Sequence, residues 1–514
     1  MLPIFILVIL VQQLVFWSAH SSSHSPPPSC TAATVTPTTP PRILSIDVQG
    51  WGEYTRLPHS YAVVQRGLIG ALTNTSAVFC HSCTFQHVKV IKSSTTPLYQ
   101  PRWLSALEVQ STQDRLARTL HATTTINTTT TTNTTTTTTN TNLLDATLRF
   151  SFPFDLSPSP TSRHTFVFAT TEYGNVSSQY MVQGGVDPQG KTAYLPVHPS
   201  VTIVTPSEWS RAGFLHAGIS PERVLVLRHG VDFRHVGVLP MDTRRTARLV
   251  YFPSPSLRIN ALETVVYVHV GSMTYNKGFD VILSTFVQHY KSSPGGQHAR
   301  LLLKGLDDMY NSRELLQREL MKLKELQHLA LRLVASGIIT YIGTRLSRLE
   351  LNKLLCSADV YLTPYRAEGF NMPAQEAAAC GLTVITTSLL AAPSAAASPV
   401  LSVLPYTGVA PTDDWCRPTF CKYIASTLVQ VTFLQNQLGY MMAPNATHLL
   451  ALLRETTVEI WRTNRLQLVG GVGEVGERRQ HLSEGIAHLA ATHTWTHVGL
   501  SFLSEIVEKT IATK

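Results

Sequence analysis

Charge is what this 514-residue chain has least of: 14% of its residues are Asp, Glu, Lys or Arg, against 44% hydrophobic ones. That balance excludes a largely disordered or coiled-coil chain and leaves a globular protein with a sizeable core. The 41 basic residues outnumber the 32 acidic ones, for a net charge of +9, which suits an anionic partner. They are scattered, however, and no basic stripe interleaved with aromatics exists, so no nucleic-acid partner is expected. Zinc spacing is missing too, since Cys80-His-Ser-Cys83 has no second half. There is no D-x-D; Asp307-Asp308 and Asp413-Asp414 are merely adjacent acids, and no metal requirement is expected. The cysteines number seven, an odd count. Cys80/Cys83 and Cys416/Cys421 are close enough to pair, whereas Cys356 and Cys380 sit in apolar helical contexts and read as buried thiols.

What is there first is an apolar run, residues 1–17 (MLPIFILVILVQQLVFW), followed by a Ser/Pro/Thr-rich stem over 18–41. The pair reads as a signal peptide or short signal anchor with its stem. The run is short for about 30 Å of hydrocarbon; we favour the anchor, which makes the chain a type II membrane protein of the ER or Golgi lumen, or a secreted one if the run is cleaved. Sequons at Asn74, Asn127, Asn133, Asn175 and Asn445 fit a lumenal address. Residues 123–142 are almost all Thr and Asn, which supply no core and read as a disordered surface insertion.

The remaining length suits two domains of roughly 200 residues each. Residues 42–240 form the first, opening with a strand over Arg42–Val48, a Gly-bearing loop and a helix over His59–Leu72. HTFVFA (His164–Ala169) and Val201–Val204 are further strands, and Ser207 is a good cap for the helix after it. A weakly periodic connection covers 241–262. Residues 263–490 then repeat the alternation: strands at Thr264–Val270, Arg300–Leu303, Ile338–Ile342, Val360–Thr363 and Thr383–Thr386, with helices between. Phe279, Ile282, Leu283 and Phe286 give the first of these helices one apolar face. A last helix, within 491–514, spans Trp495–Ile511. Such alternation predicts an α/β fold of two doubly wound sheets, with ligands outside the carboxyl ends of the strands. Gly471-Val-Gly473-Glu-Val-Gly476 matches G-x-G-x-x-G, but with no βαβ unit after it a loop is expected.

The most specific segment is Arg366-Ala-Glu368-Gly369-Phe370-Asn371-Met372-Pro373-Ala-Gln-Glu376-Ala-Ala-Ala-Cys-Gly381. Pro373 suits the first turn of a helix and Gly381 its end, while Gly369 lets a ligand approach the backbone. Amides at that helix start carry partial positive charge and offer a site for a diphosphate. Glu368 lies in the loop beside the ligand, and Glu376 one turn inside the helix on the same side.

This segment resembles the retaining GT-B glycosyltransferases of family 4, or glycosyltransferase group 1, whose mark is two glutamates separated by seven residues. The resemblance runs from about Arg42 to the C-terminus and is strongest from Val201 to Thr387. It implies two Rossmann-like domains facing each other across a cleft, a nucleoside-diphosphate sugar as co-substrate without further cofactor, and a glycan, protein or lipid acceptor. Carried over, Glu368 holds the donor sugar, Glu376 the ribose, and Gly369, Phe370, Asn371 and Met372 the phosphates. Val270-Gly271-Ser272-Met273-Thr274-Tyr275-Asn276-Lys277-Gly278 resembles the family's V-G-R-x-x-x-x-K-G loop, in which Arg and Lys neutralise the departing diphosphate. Lys277 is present, but Ser272 stands at the Arg position, with Lys304 and Arg366 as substitutes for the missing cation. Thr205-Pro-Ser207-Glu208-Trp209, His229-Gly-Val-Asp232, Tyr341-Ile-Gly343-Thr344 near the base, and Pro411–Asp414 are similar to the same group.

The first domain departs most. Where many members carry a His facing the donor sugar, this chain has Glu172, which either orients an acceptor or caps the loop. His59-Ser60 resembles an acceptor-side segment. The resemblance thus implies catalytic roles for Glu368, Lys277 and Glu172, and donor contacts from Gly271, Ser272, Lys304 and Gly343. The alternative is a catalytically silent nucleotide-sugar- or glycan-binding protein on the same fold, which Ser272 and the absent His favour and Glu368, Lys277 and Glu376 oppose.

Overall fold

The computed structural model describes residues 42–49, 60–74, 85–93, 143–152, 154–176, 181, 185–186, 192–193, 197–252, 264–389, 410–412, 415–433, 437–468 and 473–511. The apolar segment 1–17, the stem, His59, Cys80, Cys83, the insertion 123–142 and Asp413-Asp414 lie outside them. Among the described residues no helix is long and apolar enough to cross a membrane.

The first half runs β1 (Arg42–Gln49), α1 (Ser60–Asn74), β2 (Phe85–Ser93), β3 (Leu144–Arg149), β4 (Ser162–Phe168), β5 (Gly185–Val186), β6 (Thr192–Ala193), β7 (Val201–Thr205), α2 (Glu208–His216) and β8 (Val224–Val226). After α3 (Met241–Tyr251) come β9 (Val265–Val270), α4 (Phe279–Ser292), β10 (Ala299–Lys304), α5 (Asp307–Tyr310), α6 (Ser312–Met321), α7 (Gln327–Ala335), β11 (Ile339–Ile342) and α8 (Arg348–Ser357). The chain closes with β12 (Val360–Thr363), α9 (Met372–Ala379), β13 (Thr383–Ser388), β14 (Cys421–Phe433), β15 (Gln437–Pro444), α10 (Ala446–Leu468), α11 (Gly473–Thr492) and α12 (Trp495–Ile511).

Two large sheets result. The first has six parallel strands in the order β2-β1-β3-β4-β7-β8. The second has seven, β11-β10-β9-β12-β13-β14-β15, parallel except for the β14–β15 pair. The expected α/β architecture of two doubly wound sheets is therefore present. Helices on both faces explain why the strands read as continuous apolar runs: Val265, Val266, Tyr267 and Val268 of β9 are all 0% exposed. On α4 the four residues named from the sequence, Phe279, Ile282, Leu283 and Phe286, are fully buried against this sheet. Strand order reverses beside β1 and beside β9, and each reversal opens a crevice at the carboxyl ends.

Three expectations change. The weakly periodic connection contains α3, whose order comes from charge rather than from an apolar face. Arg244 and Arg248 each reach Asp359 at 2.7 Å, and Asp359 also accepts the Val266 N–H at 2.8 Å. Cys356 and Cys380 are a disulfide, not thiols: α8 and the end of α9 pack side by side, with the two Cα atoms 5.0 Å apart, a contact that a sequence separation of 24 conceals. Gly473 and Gly476 lie in α11 rather than in a loop. The Cys416–Cys421 pair is also a disulfide.

Replacing Asp359 by Ala strands the buried Arg248 guanidinium, which is 2% exposed. Urea denaturation should show a loss of about 3–5 kcal/mol, and a loss under about 1 kcal/mol would remove α3 from the account.

The core also fixes an acid limit. Burial lowers the pKa of His164, His269, His289 and His493 to about 4 and of His229 to about 3, whereas in the unfolded chain they titrate near 6.5. Between those values the unfolded state binds more protons, so stability is complete above about pH 6.5 and falls as pH drops. His216 and His488 are lowered by burial too, whereas Glu368 and Glu376, raised by burial, act in the opposite direction, two groups against seven. Calorimetry should find Tm falling steadily from pH 7 to pH 4.5; a flat or rising Tm would contradict this balance.

Candidate active site

A cavity of about 340 Å³ opens where the carboxyl ends of the two sheets meet. From the second domain it is lined by the end of β9 (Val270, Gly271, Ser272), Lys277, the end of β10 (Lys304, Gly305) and the segment Glu368–Pro373. Phe168, Thr170, Glu172, Leu227 and His229 line it from the first.

Lys277 is among the residues that line it. It ends a 3-10 turn, Tyr275–Lys277, that is closed by Gly278 at φ 69°. No other residue fits there, since a Cβ on Gly278 would meet the Pro364 carbonyl oxygen at 1.8 Å. The turn aims the Lys277 Nζ at Glu368 Oε1, 2.9 Å away, and at Glu172 Oε1, 3.8 Å away on the other domain. Glu172 Oε2 also accepts from Asn276 Nδ2 at 3.1 Å. Burial disfavours the ammonium, but Glu172 and Glu368 outweigh it and raise the Lys277 pKa. Burial likewise pushes Glu368 up, with Lys277 opposing. The three residues assigned catalytic roles are thus one charge cluster.

The segment Glu368–Pro373 is held by side chains of its own sheet. Asn371 adopts φ 65°, and its Nδ2 donates to Thr363 Oγ1 at 2.9 Å, fixing the entry to α9. No side chain caps that helix, and its positive end faces the cavity that Asn371, Met372 and Pro373 line. Gly369 serves a neighbour across the cleft: its carbonyl accepts from Ser207 Oγ at 2.6 Å, and a Cβ there would meet Thr170 Oγ1 at 2.3 Å.

Ser272 lines the cavity with its Oγ 2.8 Å from Thr274 Oγ1, so the cation absent from the sequence is absent from this loop. Of the two substitutes, Lys304 is at the cavity, 6% exposed and donating to the Gly305 carbonyl. Burial lowers its pKa, with the carboxylates of Asp307 and Asp308 opposing from beyond ion-pair distance. Arg366 is committed elsewhere, bonded to Asp280 at 2.6 and 2.8 Å and stacked 3.8 Å over Tyr275. Gly343 does not line the cavity; the Asp307 carboxylate packs against it, 2.0 Å from where a Cβ would stand. Glu376 lies behind the lining, 6% exposed and bonded to Arg348. Burial raises its pKa and Arg348 opposes. Ser60 begins α1.

Sequence reasoning missed Arg348, His229, Tyr310 and Arg345 as site residues. The available signal for Arg348 was the capping box Ser347–Glu350, which starts α8 and puts Arg348 in its first turn. Among the described residues no three His, Cys, Asp or Glu side chains cluster as metal ligands would.

No curated protein matches the sequence. In structure the chain is similar to a glycosyltransferase from Rickettsia africae, at 10% identity over 91% of this chain and 99% of that one, with a TM-score of 0.50. A sucrose-phosphate synthase from Thermosynechococcus elongatus gives 13% identity, 91% and 100% coverage, and a TM-score of 0.49. An Anabaena protein, HepE, crystallised with UDP and glucose, gives 11%, 90%, 99% and 0.47. Residues 264–400 match the family model described as glycosyl transferases group 1, a span that holds Lys277, Lys304, Glu368 and Glu376. The chain is an enzyme of glycosyltransferase type, carrying a group 1 glycosyl transferase domain over residues 264–400 on the two-domain GT-B fold.

Proposed function

We propose that this enzyme moves a sugar from a nucleoside-diphosphate sugar to an acceptor hydroxyl with retention of anomeric configuration. The observation that carries the reading is Lys277, held between Glu172 and Glu368 beside the uncapped start of α9. The diphosphate lies over the α9 amides, with Lys277 and Lys304 as its cations; Glu368 holds the sugar and Glu376 the ribose. The acceptor occupies the first-domain side. Its oxygen bonds to the anomeric carbon on the face that the phosphate leaves, the bond from that carbon to the phosphate oxygen breaks, and the nucleoside diphosphate departs with the electron pair and takes the hydroxyl proton. Lys277 and the amides are already oriented towards the developing negative charge, which is where preorganised groups lower a barrier most. No metal enters this scheme.

Three substitutions separate the roles. Glu376→Ala should weaken nucleotide binding by about 1–3 kcal/mol, as buried ribose hydroxyls lose a charged acceptor. Glu368→Ala should leave free-nucleotide affinity nearly unchanged while lowering turnover. Lys277→Ala should lower kcat with a modest effect on acceptor KM, because the diphosphate gains charge only as the bond breaks. Affinity and steady-state rates over a panel of nucleotide sugars check all three. Wild-type activity in both Glu368→Ala and Lys277→Ala would remove the site assignment, and nucleotide-sugar binding without turnover in the unaltered chain would favour the silent binder.

We also propose a lumenal address, in the ER or Golgi, with residues 1–17 as a type II anchor. The Cys356–Cys380 and Cys416–Cys421 disulfides support it, since such bonds persist in oxidising compartments. In intact microsomes the region from Arg42 onward should resist added protease, and digestion without detergent would contradict the address.

A further inference from the structure

His229 follows β8, on the first-domain wall of the cavity. Two rings hold it: Phe370 at 4.9 Å, edge to face, and Trp495 at 6.2 Å. Its backbone carbonyl accepts from Gln375 Nε2 at 3.3 Å. Neither ring nitrogen has a hydrogen-bond partner among the described residues, and the ring borders the cavity. Burial pushes its pKa down to about 3, so near neutral pH it offers one N–H donor and one bare nitrogen acceptor. That is the equipment needed to orient a hydroxyl.

The wall around it is apolar. Val64, Phe168, Val204 and Leu227 line the same side and are between 2% and 8% exposed. Among the described residues the ionised side chain on this wall is Glu172, already engaged by Lys277 and Asn276. The cations of the cavity, Lys277, Lys304 and Arg345, line it from the second domain, where the proposed diphosphate lies, so an anionic acceptor group on the first-domain wall would lose hydration with no cation of that wall's own lining to offset it. Phe370, by contrast, belongs to the donor segment, so its contact puts His229 next to the place where the donor sugar would lie.

We infer that Val64, Phe168, Val204 and Leu227 with His229 form the acceptor subsite, and that it takes an uncharged hydroxyl whose neighbouring surface is apolar, as on an alkyl or aryl glycoside or a lipid. The inference rests on the nucleotide-sugar reading above. His229 binds and orients the acceptor hydroxyl; the proton still passes to the leaving phosphate.

Two variants part hydrogen bonding from packing. His229→Phe keeps a ring against Phe370 and Trp495 but removes both nitrogens, and His229→Asn keeps a donor and an acceptor without the ring. Nucleoside-diphosphate binding, donor-only hydrolysis and transfer are measured for each and for the unaltered enzyme. The acceptors are one sugar in three forms: free, as its octyl glycoside and as its phosphate. In His229→Phe, nucleotide affinity should hold within about twofold while transfer falls on the order of 100-fold, the scale for losing one aimed hydrogen bond, with acceptor KM raised; His229→Asn should recover part of the rate. The unaltered enzyme should prefer the octyl glycoside over the free sugar, and the phosphate least. Wild-type transfer in His229→Phe would make the imidazole packing only. A preference for the phosphate or the free sugar, measured on the unaltered enzyme whatever the variants' stability, would overturn the apolar class. Should the unaltered enzyme bind no nucleoside diphosphate at all, the donor reading falls and this inference with it; intact donor binding beside either of the other results sinks the inference alone.

Discussion

A buried ammonium shared by two carboxylates from different domains is the constraint on which the rest depends. Lys277 reaches Glu368 on its own domain and Glu172 on the other. Lys277 and Glu368 are largely buried while the Glu172 side chain is 39% exposed, so the buried ammonium and the buried carboxylate each depend on a partner, because an unpaired charge in a low-dielectric cleft is costly. The cluster therefore ties the two domains together across the cavity. On the proposed reading an incoming diphosphate meets two carboxylates against one ammonium, and it needs further positive charge at hand. The α9 terminus and Lys304 are placed to supply it, on the side of the cavity where Ser272 replaces the expected arginine. Of the two contacts to Lys277, the 3.8 Å one to Glu172 is the looser and the easier to exchange for a phosphate.

That cluster needs a fixed relation between the sheets, and the packing provides one at three places. Ser207 bonds to the Gly369 carbonyl across the cleft. The β14–β15 hairpin reaches past its own sheet: the Tyr440 N–H donates to the Tyr173 carbonyl at 2.7 Å, and Trp209 of α2 is buried in a cluster with Tyr365, Leu428, Tyr440 and Met442. Finally α12 returns to α1, with Gly67 beneath the Trp495 ring and Gly499 against Ala71, where any side chain would collide. The hairpin lies outside the matched family span, 264–400, so this second weld belongs to the rest of the chain.

Much of this was legible in the sequence where a local rule is strong. The apolar face of α4, the Ser207 cap, the Pro373 start and Gly381 end of α9, and Trp495–Ile511 as the last helix all rest on patterns within a few residues. What escaped depends on distance. Cys356 and Cys380 share apolar surroundings with ordinary buried thiols, and only the packing of α8 on α9 makes them a pair. The helix α3 has little apolar periodicity because Arg244 and Arg248 answer to Asp359, more than a hundred positions away. Arg348 looks like a solvated helix start until Glu376 is seen beside it. For the site, the motif marked Lys277, Glu368 and Glu376, but only tertiary structure brings Glu172 and His229 to the same cavity.

On the proposed reading this cavity binds a nucleoside-diphosphate sugar and releases the diphosphate when an acceptor is present. Proton NMR of the purified enzyme with a panel of nucleotide sugars and an octyl-glycoside acceptor reads both events at once. One donor should give nucleoside diphosphate and a new glycosidic anomeric signal in equal amounts, with the donor's own configuration, and both should require the acceptor. Product of inverted configuration, or no donor in the panel consumed by a folded enzyme, would contradict it.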